Sequence, residues 1–132
     1  MEYLKVEFPG GLKVDAIVRG HTIRTDQPTT SGGENSAPSP FELFLSSIAT
    51  CAGIYALGFC NSKGISTEGM SISMDIQNDY STGLISKISL DLKVPEDFPK
   101  KYENAIIKSM DLCTVKKHLQ NPPTFEIKTT KK

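Results

Sequence analysis

The residues best able to do chemistry in this 132-residue chain are its three thiols, Cys51, Cys60 and Cys113. A thiolate attacks electrophilic oxygen or sulfur, whereas a buried thiol without an activating neighbour is inert packing. Their spacing fits no zinc pattern and contains no C-x-x-C, so neither metal ligation nor a thioredoxin-like pair is indicated. Cys51 lies among small residues (Ser46, Ser47, Ala49, Thr50, Ala52, Gly53), which leave room for something to approach its sulfur. It stands near mid-helix, so the N-terminus of its own helix cannot lower its pKa. It therefore needs a nearby cation, and Lys13, Arg19, His21 and Arg24 in the preceding strands and turns are the groups that could fold over it. Cys113 closes the apolar stripe of a later helix. Two inward cysteines on the two main helices either meet as a pair or each fill space. Cys60 lies about two and a half turns beyond Cys51, too far to touch it within one helix, and reads as packing.

The remaining polar residues give weaker signals. Glu42 follows Ser39 at the capping-box spacing, and that role ranks above any catalytic one. His21 and His118 are isolated and lack metal-ligand spacing. Gly32-Gly33 lacks the strand, glycine-rich turn and helix order of a phosphate or dinucleotide site.

These groups need elements to position them, and the dominant one runs from Ser39 to Asn61. Ser39 suits an N-cap and Pro40 the first helical position. From Leu43 onward the stretch carries no charge, and apolar residues fall on every face, which predicts burial on all sides. Such a helix is roughly 35 Å long, so a chain of this size cannot surround it and a second subunit is expected to cover part of it. About 18 apolar residues can span a bilayer, but this run is interrupted by Ser46, Ser47, Thr50, Gly53 and Gly58 and has no flanking basic or aromatic clusters. It reads as a core helix, not a membrane span.

Before it, Glu2–Phe8 and Leu12–Val18 alternate as a hairpin about a Pro9-Gly10-Gly11 turn, and His21–Thr25 predicts a third strand. Asp26–Pro38, rich in Thr, Ser, Gly and Pro, is a loop long enough to suggest function. After Gly64, Met70–Gln77 and Leu84–Val94 alternate with period two about a turn at Asp79–Gly83. Lys100–Leu112 reads as an amphipathic helix, Thr114–Leu119 as a short one, and Phe125, Ile127 and Thr129 as a last strand. Strands grouped apart from helices predict a single α+β domain over residues 1–132, with an antiparallel sheet on one side of the helices.

Basic and acidic residues balance to a net charge of zero, which argues against a nucleic-acid footprint. The opening Met1-Glu2-Tyr3-Leu4-Lys5 lacks the order of a secretory leader, which predicts a cytoplasmic setting with reduced thiols.

Gly32-Gly33, the run Ala37-Pro38-Ser39-Pro40-Phe41-Glu42-Leu43, and Ser46 to Cys51 together resemble the signature of the OsmC/Ohr family of osmotically inducible and organic hydroperoxide resistance proteins. Cys113-Thr114-Val115 followed by Leu119 is similar to that family's second cysteine motif. The resemblance implies an intertwined homodimer with long central helices, outer sheets and active sites at the subunit interface. It also implies a thiol peroxidase without metal or flavin, serving oxidative-stress defence. Cys51 would be the peroxidatic thiolate, Cys113 the resolving thiol, and a lipoyl-type dithiol the reductant. An apolar wall of Phe41, Phe44, Ile48 and Tyr55 would favour organic hydroperoxides over hydrogen peroxide. In two places the chain departs from the family's better-known pattern. Gly10-Gly11 is followed by Leu12-Lys13 where an activating arginine is expected, and Phe41 stands where a glutamate is expected, with Glu42 one position later. Arg19 or Arg24 would have to substitute for the arginine. The departures keep a second class of function open: a catalytically weak dimer that binds a small apolar ligand or senses oxidation.

Overall fold

The computed structural model describes residues 2–131 and has the order βββ, long α, ββ, α, α. It divides into two compact units, residues up to Ser46 and residues from Ser47 onward.

In the first unit β1 (Lys5–Gly10), β2 (Lys13–Val18) and β3 (His21–Thr25) form an antiparallel sheet in that order. The first turn differs from the sequence expectation. Pro9 and Gly10 belong to β1, a register irregularity lies between Glu7 and Gly10, and the chain reverses at Gly11-Leu12. β2 and β3 join through Arg19-Gly20, whose φ values of 52° and 80° give the left-handed two-residue connection that matches strand twist. Asp15 and Arg24 are direct cross-strand partners, and the Asp15 side chain is buried. The apolar residues Leu4, Val6, Phe8 and Leu12 are exposed.

The loop from Asp26 to Pro38 is tied down. The Asp26 N–H donates to the Pro38 carbonyl at 3.1 Å and the Asn35 N–H to the Gln27 carbonyl at 3.0 Å. The buried Asp26 carboxylate accepts N–H bonds from Gln27 and Ser36 at 2.7 and 3.0 Å. Gly33 packs so closely that a Cβ there would lie 2.1 Å from the Gln27 carbonyl oxygen. The loop ends in the expected capping box. The Ser39 N–H donates to Glu42 Oε1 at 2.9 Å and the Glu42 N–H to Ser39 Oγ at 3.3 Å, opening α1 (Pro40–Lys63) at Pro40. Gly64, with φ of 67°, follows its end.

In the second unit β4 (Ser71–Asp79) and β5 (Leu84–Lys93) pair antiparallel, with Ile72 opposite Leu92, Met74 opposite Leu90 and Ile76 opposite Ile88. The strands thus fall in two sheets, not one. Alternation specifies which face of a strand is buried but not which strands share a ladder. The helix expected over Lys100–Leu112 starts as a 3-10 turn (Lys100–Tyr102) and becomes α2 (Glu103–Met110), followed by α3 (Thr114–Gln120). Residues 121–131 form no strand. Phe125 and Ile127 are exposed, and with no neighbouring strand their alternation has nothing to pair with.

The core of this unit gathers Ala52, Ala56 and Cys60 from α1 with Phe98, Ile106 and Met110, flanked by Ile72, Leu90 and Leu92. The chain buries one stripe of α1 (Ile48, Ala52, Ala56, Cys60), not every face. Successive members are four apart, one helical turn, while Phe41, Ile54 and Leu57 are exposed. By length and composition alone α1 could cross a membrane.

Candidate active site

Cys51 is half-buried on α1, and Cys113 is buried at the residue preceding α3. The fold brings the two close enough for each to shift the acidity of the other. All three cysteines are free thiols.

Burial alone would push the Cys51 thiol up. The Val115 N–H, the Cys113 thiol and the Thr114 N–H outweigh it, and Cys51 ends below the ordinary thiol value of 9.0. Its partner moves the other way. Burial and the facing Cys51 sulfur hold Cys113 above the ordinary value, against the Lys116 and Val115 N–H groups. The pair is therefore graded, with Cys51 the more acidic sulfur. Cys60 is fully buried and pushed up by burial, with its thiol 3.9 Å from the Met70 sulfur, so it does packing work.

An open hollow of about 610 Å³ lies over Cys51, lined also by Ile54, Tyr55, Phe59, Ser109 and Thr114. Tyr55 is one turn beyond Cys51 on α1, and its hydroxyl lies 3.0 Å from Thr114 Oγ1. Of the apolar residues expected around Cys51, Tyr55 lines this hollow. Ile48 is buried and lines a different one, with Ile88, Leu90, Ile107 and Met110. Phe41 and Phe44 stack on each other, with ring centroids 5.5 Å apart, in the first unit. Ile54, Phe59 and Ser109 were not expected. Exposed helix positions around a cysteine carry no sequence signal that they share a hollow.

Of the expected activating groups, Arg24 and Glu42 have other partners. Arg24 grips Asp15 with Nη2 at 2.8 Å from Oδ2 and Nε at 3.1 Å from Oδ1. Arg19 is the left-handed turn residue between β2 and β3. Glu42 is engaged in the capping box, and the Ser39 N–H lowers its pKa. The groups that lower Cys51 are the neutral ones just named, two N–H groups from the start of another helix and the Cys113 thiol. Every helix start has such N–H groups, and nothing in the residues assigns those of Thr114 and Val115 to Cys51. His118 Nδ1 lies 2.8 Å from the Thr114 carbonyl oxygen within α3. Among the described residues no cluster of three or more His, Cys, Asp or Glu could hold a metal ion.

Residues 33–128 match the family model described as OsmC-like protein. The chain belongs to that family. No curated protein matches it. Solved structures share the OsmC-like fold. One, described as an osmotic stress induced and detoxification response protein from Psychrobacter arcticus 273-4, has a TM-score of 0.75 at 22% identity, covering 89% of this chain and 87% of that one. An OsmC-like protein from Mycoplasma pneumoniae gives 0.71 at 16%, covering 92% and 89%. The organic hydroperoxide resistance protein OhrB of Bacillus subtilis gives 0.51 at 20%, covering 89% and 91%. At these identities the likeness is one of fold. The OsmC-like match also fixes the nature of α1, an apolar core helix of a small α+β domain.

Proposed function

We propose that this OsmC-like protein is a thiol-dependent peroxidase that reduces organic hydroperoxides, acting in oxidative-stress defence. The reading rests above all on one observation, the contact of Cys51 with Cys113 and the opposite directions in which their acidities move. An acidic thiolate beside a less acidic thiol is the arrangement that attack followed by resolution requires. The Cys51 thiolate attacks the terminal oxygen of R–O–O–H. The S–O bond forms, the O–O bond breaks, and the alkoxide leaves and takes up a proton as the alcohol. Cys51 becomes a sulfenic acid. The Cys113 sulfur then displaces its hydroxyl as water, leaving a Cys51–Cys113 disulfide. An external dithiol of the lipoyl class reduces that disulfide by two exchange steps and becomes a disulfide itself. The apolar side chains Ile54, Tyr55 and Phe59 around the hollow favour an organic substituent on the peroxide.

The working unit is a cytoplasmic homodimer in this reading. The exposed Phe41, Ile54 and Leu57 on α1 give a second copy an apolar surface to cover. A second reading, a weakly catalytic dimer that binds a small apolar ligand or senses oxidation, is favoured by one fact: each donor that lowers Cys51 is neutral, and neutral donors stabilise a thiolate less than a cation does.

The deciding experiment is turnover of cumene hydroperoxide and of hydrogen peroxide with dihydrolipoamide, for the wild type, Cys51→Ser and Cys113→Ser. Loss of turnover in Cys51→Ser and stalling after one oxidation in Cys113→Ser are expected. Absence of turnover in the reduced wild type would favour the binding reading.

A further inference from the structure

The alkoxide expelled from a hydroperoxide is a strong base, and its departure is fast only if a proton reaches it. Cys51 is surrounded by donors, but those donors hold sulfur. The Thr114 and Val115 N–H groups and the Cys113 thiol all favour its thiolate. No cation is among the groups acting on the Cys51 sulfur in the described residues. What the hollow does offer is hydroxyl groups. Ser62 donates its own to the Phe59 carbonyl at 2.8 Å. Tyr55 and Thr114 hydrogen-bond to each other at 3.0 Å, either one able to donate, and both line the hollow with Cys51. Tyr55 shares a helix face with Cys51 one turn away. Thr114 is the residue whose own N–H reaches the sulfur. The pair is thus attached to the reacting thiolate from both elements that build the site.

We propose that the Tyr55–Thr114 hydroxyl pair supplies the proton to the alcohol that leaves when Cys51 cleaves a hydroperoxide. This rests on the peroxidase reading above. Thr114 O–H donates to the departing oxygen as the O–O bond breaks, Tyr55 O–H passes its proton to Thr114, and bulk water restores the phenol. Sulfur is oxidised by two electrons, the peroxide is reduced by two, and water is left as hydroxide. In this step Thr114 is the donor to the leaving oxygen, and Tyr55 acts through it as a positioning and relay residue.

The test uses single-turnover oxidation of the reduced full chain by two peroxides. tert-Butyl hydroperoxide releases an alkoxide that must be protonated; peracetic acid releases a carboxylate that need not be. Tyr55→Phe and Thr114→Val are expected to slow the alkyl hydroperoxide by roughly 10²-fold, the usual scale of general acid catalysis, and to slow the peracid at least tenfold less. Thr114→Ser, which keeps the hydroxyl, restores the alkyl hydroperoxide rate. Equal slowing with both peroxides would make the pair a mere strut between α1 and α3 and overturn the proposal. So would unchanged rates with both, or the selective loss appearing in Ser109→Ala instead. Failure of the wild type to react with either peroxide strikes the peroxidase reading itself, and the relay falls with it. That failure is visible before any variant is made.

Discussion

The thiol of Cys113 leans on the sulfur of Cys51, and the contact makes one more acidic and the other less. Removing the donor should undo part of the Cys51 shift, the Val115 and Thr114 N–H groups keeping the rest. In Cys113→Ala, the Cys51 pKa is expected to move back toward 9.0. Its alkylation at neutral pH should slow by a factor on the order of 2 to 10, the worth of one hydrogen bond. An unchanged alkylation rate would mean the contact does not act on acidity.

The backbone donors can be separated from the hydroxyl at the same residue. Thr114 is the first residue of α3, where proline is tolerated, and Cys113 before it already has an extended ψ of 127° that suits a following proline. Thr114→Pro removes both the N–H and the hydroxyl; Thr114→Val removes the hydroxyl alone. A thiolate titration should show Cys51 less acidic in the proline variant and unmoved in the valine variant. Equal effects would assign the shift to the side chain.

Asp26 should make the loop that precedes α1 acid-sensitive. The Ser36 hydroxyl, with the Ser36 and Gln27 N–H groups, holds its carboxyl at about 2 against an ordinary 3.8. A depressed carboxyl stabilises the fold above its unfolded value, and the contribution is lost as pH falls through the folded value. Thermal unfolding followed from pH 4 to pH 2 should therefore show a loss that Asp26→Asn abolishes, the variant being less stable at neutral pH. Parallel curves for the two proteins would count against this.

The start of α1 rests on a reciprocal pair of bonds between Ser39 and Glu42. Ser39→Ala should cost about 1 kcal/mol in chemical denaturation, the usual worth of an N-cap. Glu42→Gln, which keeps the capping-box geometry, should cost less. The reverse order would show that the carboxylate has a further role.

Gly33 and Gly58 should respond oppositely to alanine. At Gly33 the new methyl would meet the Gln27 carbonyl oxygen at 2.1 Å, whereas at Gly58 nothing lies within 4 Å. Gly33→Ala is expected to lower stability by about 1–3 kcal/mol through overpacking. Gly58→Ala, in a helix interior, should raise it by roughly 0.5–1 kcal/mol. A melting comparison decides both.

Much of this was legible in the residues. Ser39, Pro40 and Glu42 announced the start of α1 because capping is local chemistry, and Gly64 announced its end. The spacing of Ile106, Met110 and Cys113 gave the inward face of α2 and the buried Cys113 beyond its end. What failed was what depends on distant partners. Phe125 and Ile127 alternate like a strand, but a strand exists only where a neighbour completes its ladder. Asp15 sits buried in a strand that reads as apolar because Arg24, nine residues on, is its cross-strand mate. The largest gap concerned Cys51. Its acidity comes from N–H groups of α3, and no local pattern reveals which helix start will meet which sulfur.

Cys60, sealed beside Met70, gives the protein an internal gauge of its own motion. In Cys113→Ala, under native conditions, a thiol reagent added in excess should tag Cys51 at once and find Cys60 only when the core opens. The slow labelling event then counts openings of the second unit one by one, and its temperature dependence measures how often that core breathes. A fold built around a reactive sulfur thus carries, two and a half turns along the same helix, a silent one that reports on the integrity of the whole.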